Sequence, residues 1–338
     1  MPPAPPRRRR LSLDDYVEGV LAGDRAVLGQ AITLVESNSP RHQAQAQELL
    51  LHLLPHSGKA HRVGISGVPG AGKSTFIEAL GTWLCDQGHR VAVLAVDPSS
   101  RVSGGSILGD KTRMQRLATH EAAFVRPSPS SGSLGGVGRK TRESIVVCEA
   151  AGYDIVLVET VGVGQSEVLV ADMVDLFLVL MIAGAGDELQ GIKRGILELA
   201  EIVAVNKADG DNLLRAQRAR RQYESALHFM QPQSPSWRPP VLCVSALEGT
   251  GLDELWAAVE RHREVLQATG ELQQRRTHQR LRWMWSMVDE RLLSSLKAHP
   301  GVRDRLGAIE DDVLAGRLTP TLAARGLLEA FGVEVGEG

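Results

Sequence analysis

The sequence predicts an α/β fold: a doubly wound, mostly parallel sheet with helical additions at both ends. Three observations carry this. Between residues 58 and 265, short apolar, β-branched runs alternate with helical stretches, as expected of strands covered by helices on both faces. The first of these runs leads into a glycine-rich loop that opens a helix. Before residue 58, and beyond about residue 266, only the helical period is present. The expected divisions are therefore a tail and helical annex at 1–57, an α/β domain at 58–265, and an all-α region at 266–338.

At 338 residues the chain exceeds the roughly 100–200 residues of one ordinary domain. It is 43% hydrophobic and 23% charged, enough for a substantial core. A formal net charge of −2 argues against nucleic acid or an acidic membrane as a partner. The three cysteines, Cys85, Cys148 and Cys243, stand far apart and in no metal-ligand spacing. They read as packed thiols of a reducing compartment. No apolar run approaches the ~20 residues that span a bilayer. The opening MPPAPPRRRR lacks a following apolar segment, so it reads as a disordered tail rather than a secretory signal. A cytoplasmic location is expected, with the mitochondrial matrix as the alternative should the arginines belong to a transit peptide.

Ser12 with Asp15 three residues on forms an approximate capping box for a first helix. Leu28, Ile32 and Val35 place a second, and a third starts near Pro40 and carries Leu49, Leu50, Leu53 and Leu54. The strands are read at Val63–Ser66, Val91–Val96, Ala123–Arg126, Ile155–Glu159, Leu176–Met181, Ile202–Asn206 and Leu242–Ser245. In the C-terminal region Leu281, Trp285, Val288, Leu292 and Leu296 share one helix face, and Thr319 and Pro320 begin a last helix.

Gly67-Val68-Pro69-Gly70-Ala71-Gly72-Lys73-Ser74 matches G-x-x-x-x-G-K-[ST] in full, with Thr75 leading into the helix. Glycines let backbone N–H groups turn toward a β-phosphate, and the helix N-terminus adds positive charge. Lys73 would neutralise the β/γ oxygens, and the Ser74 hydroxyl would be a magnesium ligand. Asp97 and Glu159 each close a strand at the same sheet edge, where a carboxylate can hold magnesium directly or through water. Glu159-Thr160-Val161-Gly162 occupies the slot of D-x-x-G, so the N–H of Gly162 would meet the γ-phosphate. The loop Gly104 to Arg113 carries Asp110, its one carboxylate, a candidate for magnesium or water. Val163 stands where many small GTPases carry a water-orienting glutamine, and the next glutamine is Gln165. Intrinsic hydrolysis is therefore expected to be slow unless Gln165 or a partner-ordered loop completes the site.

Asn206-Lys207-Ala208-Asp209 follows a strand in the N-K-x-D arrangement. The Asp209 carboxylate would accept from guanine N1–H and the 2-amino group, which adenine cannot supply. Lys207 would pack over the base and Asn206 would tie this loop to the phosphate loop. Ser245-Ala246-Leu247 sits where a backbone N–H of the turn would meet guanine O6.

These motifs, with the longer strings V-D-P-S-S, G-G-S-I-L-G-D-K-T-R-M, E-T-V-G-V-G-Q-S-E and A-G-A-G-D-E-L-Q-G-I-K, resemble the MeaB/ArgK/MMAA GTPases over residues ~11–330. The resemblance implies a GTP- and GDP-binding metallochaperone that gates adenosylcobalamin loading, and protects or reactivates an acyl-CoA mutase, chiefly methylmalonyl-CoA mutase. It also implies a homodimer formed through the C-terminal helices. In that family Asp97, Asp110 and Glu159 match acidic residues around magnesium and the γ-phosphate. The stretch from Ile182 to Lys193 matches a mobile loop that couples nucleotide state to the mutase. Lys193 is the nearest cation there, and joins Lys73, Asp110, Glu159 and Gln165 as an expected catalytic group. The alternatives are a nickel-enzyme maturation GTPase, which would need a Cys/His cluster that the sequence does not group, and a nucleotide-gated scaffold with negligible hydrolysis.

Overall fold

A computed structural model describes residues 11–96, 114–127, 134–160, 165–184 and 194–333. The annex is three helices, α1 (Leu13–Leu21), α2 (Arg25–Val35) and α3 (Pro40–Leu53). The capping box is formed: the Asp15 N–H donates to Ser12 Oγ at 3.1 Å and the Ser12 N–H to Asp15 Oδ2 at 2.8 Å. Val20, Leu28, Ile32, Val35, Leu49 and Leu53 are fully buried. They join the core of the sheet domain rather than forming one of their own.

Seven strands make a single all-parallel sheet: β1 (His61–Gly67), β2 (Val91–Val96), β3 (Ala123–Arg126), β4 (Ile155–Thr160), β5 (Leu176–Ile182), β6 (Ile202–Asn206) and β7 (Val241–Cys243). Their order is β3-β2-β4-β1-β5-β6-β7. The central strands are buried along nearly their whole length, because helices cover both faces. The covering helices are α4 (Lys73–Asp86), α5 (Gln115–Thr119), α6 (Leu134–Ala150), α7 (Gln165–Ala171), α8 (Arg194–Leu199), α9 (Leu213–His228) and α10 (Leu252–Ala268). The doubly wound fold expected from the sequence is the one observed. The chain order crosses the sheet about β1, so the carboxyl ends of β1, β4, β5 and β6 lie where such folds bind ligands.

Beyond the sheet come α11 (Glu271–Ala298), α12 (Pro300–Leu314) and α13 (Pro320–Phe331). Packing divides the chain into two compact units, residues 1–279 and 280–338. The first therefore contains the annex and the opening turns of α11. Those turns carry consecutive arginines that grip the amino-terminal edge of the sheet. Arg275 forms a two-pronged pair with Glu201, just before β6, at 2.9 and 2.6 Å. Arg276 does the same with Asp175, just before β5, at 2.7 and 2.6 Å. Arg62 of β1 makes a third such pair with Glu149 at 2.7 and 2.9 Å. Burial pushes the Asp175 and Glu201 carboxyls up, but their arginine partners and hydrogen bonds outweigh it and hold both below the usual carboxylate range. In the second unit, Thr319 caps α13 by accepting from the Leu322 N–H, and His299 meets the Phe331 ring edge-on.

Candidate nucleotide site

The phosphate loop leaves β1 at Gly67, whose φ is 156°. A Cβ there would lie 2.3 Å from the Leu180 carbonyl oxygen, so only glycine fits beside β5. Gly70 and Gly72 are left-handed, at φ 78° and 82°. Gly72 is the N-cap of α4 and brings no capping side chain, which leaves the first N–H groups of a 14-residue helix for an anion. The Lys73 ammonium donates to the Gly67 carbonyl at 2.9 Å, arched over the loop. Burial lowers its pKa, while the charges of Glu159 and Glu167 oppose that shift.

Parallel register pairs Ile65 of β1 with Glu159 of β4. This sets a buried carboxylate beside the loop, and the Ser74 hydroxyl donates to Glu159 Oε1 at 3.3 Å. A hydroxyl and a carboxylate are hard oxygen donors of the kind magnesium takes, so these residues fit that ion. Thr160 Oγ1 donates to Ser66 Oγ at 2.8 Å, pinning the two strand ends together inside the protein.

The second loop follows β6. Asn206 is buried; its side-chain amide donates to the Ala71 carbonyl at 2.8 Å, and its Oδ1 accepts the Ala246 N–H at 3.1 Å. A Cβ on Gly72 would come 3.2 Å from Asn206 Nδ2 and 3.9 Å from Lys207 Cε, so the two loops touch. The Ser245 hydroxyl makes a short bond to Asp209 Oδ2 and accepts the Glu248 N–H. The Ser245 N–H is taken by the Thr250 carbonyl at 3.0 Å. Within Ser245–Leu247, the N–H groups of Ser245 and Ala246 are thus already taken by protein acceptors.

The strand expected at Leu242–Ser245 ends at Cys243 instead. Val244 still donates to Val205 at 2.9 Å, but Ser245 turns away into a bridge with Thr250. The turn is fixed by Gly251, at φ 74°, where a Cβ would lie 2.5 Å from the Cys243 carbonyl oxygen.

Residues 67–75, Glu159, Asn206, Lys207, Asp209 and Ser245–Leu247 thus converge on the carboxyl edge of the sheet. Gln165 begins α7. Asp97, Asp110, Gly162 and Lys193 lie outside the described residues. The sequence reading passed over Glu167, which is buried in the first turn of α7 and close enough for its charge to act on Lys73. Its signal was its place two residues after Gln165, on the helix that follows the D-x-x-G slot.

A parallel sheet with a phosphate loop and a base-selecting loop joined at its carboxyl edge defines a P-loop GTPase. A family model described as methylmalonyl Co-A mutase-associated GTPase MeaB matches residues 28–301, and the chain belongs to that family. A probable GTPase of Mycobacterium tuberculosis is 59% identical over 320 residues, covering 94% of this chain and 95% of that one. The GTPase ArgK of Escherichia coli is 51% identical, covering 90% and 94%. The mitochondrial methylmalonic aciduria type A homolog of mouse is 50% identical, covering 94% and 79%. A solved structure of an LAO/AO transport system kinase superposes with a TM-score of 0.78 at 42% identity, covering 96% of this chain and all of that one.

Proposed function

We propose that this GTPase gates adenosylcobalamin loading of an acyl-CoA mutase, most specifically methylmalonyl-CoA mutase, and protects or reactivates that enzyme. It does so as a cytoplasmic homodimer that cycles between GTP and GDP. The observation that carries the reading is the joined pair of loops, Asn206 on Ala71, within a chain of the mutase-associated family.

The residues divide the work as follows. The 67–72 backbone and the α4 N-terminus hold the phosphates, with Lys73 neutralising the β/γ oxygens. Ser74 and Glu159, with Asp97 and Asp110, would hold magnesium, which supplies charge neutralisation to the triphosphate when bound. Gly162 would offer its N–H to the γ-phosphate. Water attacks the γ-phosphorus as the bond to the departing GDP oxygen breaks. Gln165 or a partner-ordered loop aligns that water, so turnover is slow alone and faster with the mutase. Asp209 reads N1–H and the 2-amino group, Lys207 covers the base, and the Leu247 N–H is the donor left for O6.

The test is multiple-turnover hydrolysis of GTP and ATP, with and without each candidate mutase. GTP hydrolysis alone, stimulated by one mutase, is the expected result. Equal hydrolysis of ATP would overturn the base assignment, and no response to any mutase would overturn the client. Lys193→Ala is expected to bind GTP normally and to lose most of the stimulation.

A further inference from the structure

The base loop contains a conformation that its own residues do not favour. Lys207 has φ 59° and is the one non-glycine among the described residues with positive φ. A β-carbon clashes with the neighbouring carbonyl in that region, so a lysine stays there only when something outside it fixes the backbone. One hold is the Ala208 N–H, which donates to the Val244 carbonyl at 3.0 Å; the other is Asn212, five positions after Lys207. Its side-chain amide donates to the Lys207 carbonyl at 2.6 Å, and its own N–H donates to the Asp209 carbonyl at 3.0 Å. The turn between is the short 3₁₀ segment Gly210–Asn212, with Gly210 at φ 44°.

Asn212 stands at the N-cap of α9, where an asparagine ordinarily accepts from the first helical N–H groups. Its side chain makes no capping bond there. The amide is turned back onto the loop instead. Asn212 therefore holds two carbonyls of the base loop, one on each side of Ala208.

We infer that Asn212 is a positioning residue for guanine selection. It locks Lys207 in the left-handed conformation, and so fixes the base-covering lysine stem and the base-reading Asp209 carboxylate relative to each other. It touches neither base nor phosphate. This rests on the reading of Asn206–Asp209 as the base site.

The test compares Asn212→Ala and Asn212→Asp with the wild type, titrating GDP and ADP with magnesium by calorimetry and recording each melting temperature. Asn212→Asp keeps the size but replaces the donor with an oxygen that repels the Lys207 carbonyl. Both variants should weaken GDP about three- to tenfold, the range set by one net hydrogen bond, with Asp at least as severe as Ala. ADP affinity and the melting temperature should hold, so the GDP/ADP ratio falls. An unchanged GDP affinity, or a parallel loss for GDP and ADP with a lower melting temperature, would make Asn212 an ordinary turn residue and overturn the inference. A wild type that binds GDP and ADP alike would remove the guanine reading beneath it, a separate failure visible without any variant.

Discussion

Asn206 donates its buried side-chain amide to the carbonyl of Ala71 at 2.8 Å, across 135 positions of sequence. One hydrogen bond thus joins the loop that follows β6 to the loop that follows β1. Replacing Asn206 by Ala strands the Ala71 carbonyl and the Ala246 N–H, each at about 1–3 kcal/mol. A stability loss of about 2 kcal/mol or more is expected, read as a lower urea midpoint, together with weaker GDP binding. Asn206→Asp keeps the acceptor for Ala246 but sets a buried oxygen against the Ala71 carbonyl, so it should be at least as severe as Ala. An unaltered midpoint in the Ala variant would mean that water replaces both partners.

Asp209 should carry the base preference. A site built to receive hydrogen bonds rejects a ligand lacking them by ~10⁴–10⁵ when fully dry. Asp209 is only partly buried, so a GDP-over-ADP preference of at least ~10³ is expected. Asp209→Ala should weaken GDP strongly and leave ADP nearly unchanged, which titration of both nucleotides by calorimetry checks. Lys73→Ala should instead weaken both.

His61 makes stability depend on pH. Burial, with the Arg263 charge and a smaller push from His89, lowers its pKa to about 4, against opposing pulls from Asp175 and Asp154. The unfolded value is about 6.5. Between these two values the unfolded chain binds the extra proton, so stability falls as pH drops below about 6.5 and levels off below about 4. The contribution is about 1–2 kcal/mol after discounting for partial exposure. His61→Phe, beside the Trp256 ring, should lose less stability between pH 7 and pH 5 than the wild type does. Equal losses in denaturant titrations would clear His61 of this role.

The face of α11 that carries Leu281, Trp285 and Leu292 is exposed, at 51%, 60% and 54%. So much apolar surface on one helix face suits a two-fold contact with a second copy. Light scattering should give twice the 36.5 kDa chain mass, and Trp285→Glu should restore the single mass. A wild type of 36.5 kDa at micromolar concentration would rule out the dimer.

Local signals were the most legible in the sequence. Val91–Val96 and Ile202–Asn206 end where the apolar runs end, because a parallel strand buried on both faces tolerates no polar residue mid-run. The Ser12–Asp15 capping box spans three positions and needs no tertiary information. The end of β7 was not legible: Val-Leu-Cys-Val-Ser reads as one strand, and its bend is set by Thr250 and Gly251. Nor was Asn212, which has the composition of any turn residue. Its role depends on the φ of Lys207, which no side-chain pattern encodes. The Arg275–Glu201 pair joins residues 74 positions apart, and each alone looks like an ordinary surface charge.

The change in periodicity near residue 266 invites cutting the chain there to obtain a minimal nucleotide-binding fragment. The arginines of α11 argue against it. A fragment ending at 265 would lose Arg275 and Arg276, and with them the cations of two carboxylates sealed beneath β5 and β6. Removing one partner of a buried pair costs about 3–5 kcal/mol, and two such losses rival the whole stability of an ordinary domain. The shortest fragment expected to stay soluble and hold nucleotide runs through Gln279, whose amide donates to the Val174 carbonyl at 2.7 Å. The enzyme's catalytic half is therefore completed by the first turns of what the sequence presents as its tail.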